Sequence, residues 1–386
     1  MKILIVGKSF PYKGGVAAFN ERLAMQLMQE GHEVVIYTYS FIYSFLAGSV
    51  SDRFNDNDKP IDDIIIKQKI NNFNPLEWEK VIAEIKKEQF ELIIYGYADI
   101  ASTLCISYIS NRLKKMAIQV AVMHNVEIDH PFEGIKKMAM TMMIKQLDGF
   151  ISMSNKVTEE LKPFNKKHRP VIFSPHPIYD LFGKGTDKKL ALLQLGLNPN
   201  YQYVLFFGAI KESKGLDLLI EAFADERVRQ LPIKLLVVGD FNNNKEFYTD
   251  IMYENRLKNN IIFVDEYVPN YVVSLYFSAC SIVGQPYREV NQSGILQVAY
   301  HFDKPILITN IAQCGINIPN QKVGYVINPN TTEIADSLVD FFVNKREEEM
   351  VNNVKIEKKK FMWNNMTEAI YSLYQTAKAY KNTRLI

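Results

Sequence analysis

The chain has 386 residues, 47% hydrophobic and 23% charged. That composition excludes a disordered or collagen-like polypeptide and fits two globular domains, each with its own core. Lys and Arg total 45 against 43 Asp and Glu, and a net charge of +2 gives no electrostatic reason to expect nucleic acid as a partner.

The first residues, MKILIVGKSFPYKGG, read as a strand over Lys2–Val6 rather than a signal peptide, because turn residues follow the short apolar run at once. No stretch approaches the ~18 apolar residues that span a bilayer. The expected location is therefore cytoplasmic, with attachment to the inner face of a membrane left open. Next comes the loop Phe10-Pro11-Tyr12-Lys13-Gly14-Gly15 and a helical pattern from Val16 to Glu30, with Ala17, Leu23, Ala24, Leu27 and Met28 on one face and Gly31 as the stop. Gly14 and Gly15 at a helix start permit close backbone approach, which suits a phosphate or a sugar. The loop matches neither G-x-G-x-x-G nor the P-loop, so dehydrogenase and nucleoside-triphosphatase readings lose ground.

Further strands are expected at Val34–Tyr39, Leu92–Tyr95, Val120–His124, Phe150–Met153 and Val171–Phe173. Strand-like runs alternating with helical periods are the pattern of a parallel α/β sheet. Phe41-Ile42-Tyr43-Ser44-Phe45-Leu46 is too aromatic for an ordinary exposed loop. The stretch 134–146 mixes Lys136, Lys137 and Lys145 with Ile135, Met138, Met142, Met143 and Ile144. Such a helix suits a membrane interface, or else its methionines pack in a core. Asp56-Asn57-Asp58 is a literal D-x-D, but it sits in a polar loop with no strand before it. His124, Asp129 and His130 have no recognised metal-ligand spacing. Cys105, Cys280 and Cys314 are scattered in or near apolar segments and read as buried free thiols.

Polar, glycine-containing residues between about 180 and 200 break the pattern. It restarts with strands at Tyr203–Phe207, Leu235–Val238, Ile261–Val264, Ser281–Gln285 and Ile306–Thr309. Two such runs imply two Rossmann-like domains, with the ligand beyond the carboxyl ends of the strands, in the cleft between them. The charged stretch from Lys345 to Lys360 reads as a solvated helix face. The chain closes with an amphipathic helix over Asn364–Lys381.

Two loops of the second run carry candidate chemistry. Gly208-Ala209-Ile210-Lys211-Glu212-Ser213-Lys214-Gly215 follows a strand, and Lys214 stands just before a helix, where a cation neutralises a leaving diphosphate. QPYREVNQSGILQ (285–297) reads as strand end, polar loop and a helix opening at Ser293-Gly294. Helix N-termini present unpaired N–H groups and partial positive charge, so this turn suits a diphosphate. Glu289 beside it would repel phosphate and is better aimed at hydroxyls. The pair points to a sugar nucleotide.

K-G-G near the start, F-G-x-I-x-x-x-K-G, Y-R-E-x-x-Q-S-G-I-L, then Gly324-Tyr325-Val326 and a closing F-x-W (Phe361, Trp363) together resemble the retaining GT-B glycosyltransferases of family four, in order over the whole chain. The resemblance implies an α/β GT-B fold. Its acceptor domain would cover 1–182 plus the returning C-terminal helix 364–386, and its donor domain 200–360. It implies that Glu289 binds donor-sugar hydroxyls and that Ser293, Gly294 and Ile295 offer N–H groups to the diphosphate. Gly15 would approach the same diphosphate, and Lys214 would stabilise the departing phosphate. His124 would lie near the transferred sugar. The implied activity is metal-independent, cofactor-free hexosyl transfer from a nucleotide-sugar to a glycan or lipid-linked acceptor in bacterial surface polysaccharide synthesis, with peripheral membrane contact through 134–146. Three departures stand out. Ala209 replaces the family's usual arginine, leaving Lys211 as a substitute cation. Gln297 replaces the second glutamate, at the position that holds the ribose diol. Ala312-Gln313-Cys314-Gly315-Ile316 lacks the usual glycine pair. A non-catalytic GT-B binding subunit, or a sugar-nucleotide epimerase, is the alternative.

Overall fold

The computed structural model describes residues 1–12, 14–44, 49–50, 63–126, 133–241, 244–266, 268–289, 294–311 and 318–383. The chain divides into two compact units, Met1–His176 with Trp363–Ile386, and Pro177–Met362.

The strands of unit 1 are β1 (Lys2–Gly7), β2 (Glu33–Phe41), β3 (Tyr43–Ser44), β4 (Ser49–Val50), β5 (Ile65–Asn71), β6 (Leu92–Tyr97), β7 (Ile118–Met123), β8 (Gly149–Ser152) and β9 (Val171–Phe173). β3 and β4 form a small antiparallel pair. The other seven make one parallel sheet in the order β5-β2-β1-β6-β7-β8-β9. β6 (LIIYGY) and β7 (IQVAVM) are buried at every position, as strands covered by helices on both faces must be. Local signals set the helix ends. In the helix Pro75–Glu88, Asn74 accepts from Leu76 N at 3.1 Å with proline in the first turn, and Lys86 and Lys87 occupy the last, each placed to favour the helix dipole or fill an unpaired donor.

The helix Trp363–Thr383 belongs to unit 1. Met366, Ile370, Leu373 and Ala377 are fully buried, and each of the three larger side chains contributes about 1.5–3 kcal/mol by leaving water. Polar ties flank this stripe. Thr367 Oγ1 and Tyr371 OH donate to Glu30 at 2.8 and 2.5 Å, and Lys381 Nζ donates to Ala117 O at 3.0 Å.

Unit 2 has β10 (Gln202–Phe207), β11 (Ile233–Val238), β12 (Ile261–Val264), β13 (Ile282–Gln285), β14 (Ile306–Thr309) and β15 (Gly324–Ile327). They pair in parallel in the order β12-β11-β10-β13-β14-β15. In each sheet the order reverses once, between β1 and β6 and between β10 and β13, and such reversals open a crevice at the carboxyl ends of the strands.

Several expectations need correction. β5 was missed because its burial is irregular, with Ile65 half exposed, which suits an edge strand and hides the two-residue period. Residues 177–182, expected in the first domain, pack in unit 2: Ile178 N donates to Phe361 O at 2.9 Å. The supposed break at 180–200 contains a helix, Lys188–Gln194, capped by Asp187. The charged stretch after Lys345 is helical over Glu347–Glu357, but it buries Met350 and Val354 completely, so that face is not merely solvated. Cys105 and Cys280 are free and buried. Cys314 and the segments 312–316 and 56–58 lie outside the described residues, as do Asp129 and His130.

Candidate active site

In unit 2 the candidate groups gather at the carboxyl ends of β10 and β13. Gln285 Nε2 donates to Phe207 O at 3.0 Å, tying the two strand ends together. The loop after β13 is fastened to the Lys211–Gly215 turn, because Arg288 N and Glu289 N both donate to Ser213 O at 2.9 and 3.2 Å. The Arg288 guanidinium grips Asp217 through two bonds of 2.6 and 2.5 Å. Two parallel charge-assisted bonds give the planar guanidinium a fixed direction. Gly215, at φ +69°, makes this approach possible, since a Cβ there would lie 2.0 Å from Pro286 O.

The consequence is local. Lys214 Nζ sits 4.4 Å from the centre of the Tyr287 ring, and the Tyr287 carbonyl is held by Thr309 Oγ1 at 2.6 Å. Glu289 is exposed beside this clamp, and Lys211 is exposed on the turn. The helix Gly294–His301 begins close to the end of β10, where the Ile295 Cδ1 is 3.5 Å from a Cβ built at Gly208. Ser293 lies outside the described residues. Gln297, in the first turn, is 7% exposed, and its Oε1 has no hydrogen-bond partner among the described residues. A buried acceptor left unpaired costs about 1–3 kcal/mol.

In unit 1 the corresponding reversal carries the glycine loop. Gly14 has φ +108° and precedes the helix Gly15–Gln29 without a side-chain cap; both glycines are exposed. The loop is held from behind. Asn20 Nδ2 donates to Lys8 O at 2.8 Å, while Glu21 accepts from Ser9 Oγ at 2.8 Å and Phe10 N at 2.7 Å. Burial pushes the Glu21 carboxyl above its usual range, and those two bonds oppose the shift. His124 follows β7 and is 7% exposed; its N donates to Tyr97 O at 2.9 Å and its Nε2 has no partner among the described residues. Burial, then the neighbouring His176, lowers its pKa to about 3. The imidazole is therefore neutral at physiological pH, able to hydrogen-bond a hydroxyl without presenting charge.

Along the helix Glu133–Gln146, Ala139, Met140, Met143 and Ile144 are buried, whereas Ile135, Met138 and Met142 are 50%, 58% and 45% exposed. Part of this apolar face therefore packs in the core of unit 1, and the rest is exposed. Phe41 is 39% exposed and Ile42 is buried. Among the described residues no three His, Cys, Asp or Glu side chains converge as a metal centre requires. No described helix is long and apolar enough to cross a membrane.

The sequence did not reveal the clamp formed by Arg288, Asp217 and Tyr287, nor the hold of Asn20 and Glu21 on the glycine loop. Arg288 and Asp217 are 71 positions apart, and nothing local pairs them. Glu21, a carboxylate on the apolar side of a helix, was the one available signal.

Residues 13–180 match the family model described as Glycosyltransferase Family 4, and residues 201–344 match that of Glycosyl transferases group 1. The chain belongs to the group 1 glycosyltransferases. Its GT-B form, two parallel-sheet Rossmann-like units, is shared with a glycosyltransferase from Rickettsia africae (TM-score 0.74, 18% identity, covering 97% of this chain and 98% of that one). HepE from Anabaena in complex with UDP and glucose is similar too, with a TM-score of 0.68 at 14% identity, covering 96% of this chain and 98% of that one. D-inositol 3-phosphate glycosyltransferase of Gordonia bronchialis is 21% identical over 216 residues, 53% of this chain and 47% of the relative. The chain thus spans about half the length of the curated relatives it matches.

Proposed function

We propose that this chain is a retaining, metal-independent hexosyltransferase that uses a nucleotide-sugar donor and a glycan or lipid-linked glycan acceptor in bacterial surface polysaccharide synthesis. One observation carries the reading. A cation (Lys214), an exposed carboxylate (Glu289) and a helix N-terminus (Gly294) stand at the strand-order reversal of unit 2, with the unpaired acceptor of Gln297 one turn further on. Family membership and the nucleotide seen with HepE support the donor class.

The chemistry follows from charge. As the glycosidic bond to the donor phosphate breaks, negative charge grows on the leaving diphosphate. Lys214, with Lys211 in place of the missing arginine, and the amides at Gly294 and Ile295 stabilise that charge more than the ground state, which lowers the barrier. Stacking on Tyr287 and the Arg288–Asp217 clamp spare Lys214 and its loop much of the ordering cost. Glu289 holds sugar hydroxyls, and Gln297 accepts from the ribose. In unit 1, Gly14 and Gly15 are assigned to the diphosphate and neutral His124 to the transferred sugar. The exposed Ile135, Met138 and Met142 with Lys137 and Lys145 would rest on the inner face of an anionic membrane, presenting the enzyme to a lipid-linked acceptor.

The test is Lys214→Met in the full chain. Turnover should fall more than tenfold with little change in the temperature of unfolding, and unchanged turnover would remove the assignment. The second reading, a GT-B subunit that binds without transferring, is favoured by Ala209 and Gln297. It predicts nucleotide binding with no nucleoside diphosphate released.

A further inference from the structure

The side chain that fixes His124 is not a hydrogen-bonding group. Phe19, fully buried on the helix Gly15–Gln29, meets the His124 ring edge-on, with centroids 4.8 Å apart and an interplanar angle of 88°. The same phenyl ring contacts His176 at 5.5 Å and Trp363 at 5.2 Å. His176 is the last residue of unit 1 before the chain leaves it, and Trp363 is the first on its return. One aromatic side chain therefore touches the candidate catalytic imidazole and both points where the backbone crosses.

We propose that Phe19 is the positioning residue for His124: it orients the imidazole, excludes water from it and fastens it to the two crossover points of unit 1. The proposal rests on the reading of His124 as a sugar-contacting group. Its physical basis is the unpaired, buried Nε2, which leaves aromatic packing to hold the ring. Ring pairs of this geometry prefer the edge-to-face arrangement seen here. Without the phenyl ring, water reaches the imidazole, and the desolvation that keeps it neutral is lost.

Charged and titratable groups face this cluster from the surrounding described elements. Lys8 pairs with Asp99 at 2.9 Å, Glu21 holds Ser9 and Phe10, and Arg22 lies 5.1 Å over the Trp363 ring. His176 opposes protonation of His124, so any rise in its basicity on loss of Phe19 comes from solvation.

The experiment uses the full chain bearing Phe19→Leu, which keeps most of the volume, with Phe19→Ala as a more severe variant. Histidine NMR titration without substrate, assigned through His124→Gln, is read beside the pH dependence of kcat. Wild type should show no His124 titration above pH 5 and less than a twofold change in kcat between pH 6 and pH 8. In Phe19→Leu, His124 should titrate toward its ordinary value near 6.5, and kcat at pH 6 should fall about two- to fourfold relative to pH 8, with the donor KM little changed. A uniform loss at every pH with His124 still neutral would overturn the proposal and leave Phe19 a core residue only. The titration requires no turnover, so failure of the transfer reading is distinguishable from failure of this one.

Discussion

Gln297 separates stability from function more sharply than any other described residue. Its Oε1 is buried without a partner, an arrangement that burdens the free protein and suits a ligand. Replacing it with leucine removes the orphan acceptor and keeps the volume. The free protein should gain about 1 kcal/mol, which for a unit of this size raises Tm by about 2–4 °C. The same change removes a neutral hydrogen bond to the donor nucleotide, about 0.5–1.5 kcal/mol, or about two- to twelvefold in Kd. Gln297→Glu should do the reverse. A carboxylate at 7% exposure loses most of its hydration, so the free protein loses stability. With ribose bound, the charge-assisted bond is stronger by about 1 kcal/mol, about fivefold in Kd. The assay is thermal unfolding with and without UDP, GDP or ADP, followed by titration calorimetry with whichever nucleotide stabilises the wild type. The two variants must move Tm of the free protein and nucleotide affinity in opposite directions. If leucine leaves affinity unchanged, or both variants shift both quantities the same way, Gln297 does not face the nucleotide and the reasoning fails.

Three further outcomes follow from other contacts. Asp217→Asn breaks the two-pronged grip on Arg288, so the loop bearing Glu289 loosens; donor KM should rise several-fold while far-UV circular dichroism is unchanged. Burial raises the Glu30 carboxyl, but bonds from Tyr371, Gln26 and Thr367 outweigh it and hold it below its ordinary 4.5. A depressed carboxylate adds stability that is present above the unfolded pKa and lost as pH falls through the folded one. Wild type should therefore lose more stability than Glu30→Gln as pH drops below about 4.5, and parallel acid-unfolding curves would refute this. Replacing Ile135, Met138 and Met142 with serine should abolish flotation with anionic liposomes at low salt while leaving turnover on a soluble acceptor intact. Equal flotation would withdraw the membrane contact.

Much of the architecture was legible because parallel strands buried on both faces advertise themselves. LIIYGY and IQVAVM leave little room for another reading, whereas the reversal between β10 and β13 shows only in the folded sheet. What escaped was whatever lacked a regular period or spanned distance. β5 is an edge strand with one face in solvent. The helix Lys188–Gln194 is seven residues long, and Asp187 and glycine around it read first as a turn. In the site, glycines, a lysine before a helix and a lone carboxylate were visible from spacing alone. Their supports were not, because Arg288–Asp217, Glu21–Ser9 and Phe19–His124 pair side chains that only the folded chain brings together.

The most direct test of the central claim is nucleoside diphosphate release from a panel of nucleotide-sugars by the purified chain, with Glu289→Ala alongside. The account predicts release from one donor class, stimulated by a glycan acceptor and reduced more than tenfold in the variant. Nucleotide binding without release, or isomerised sugar formed without an acceptor, would contradict it.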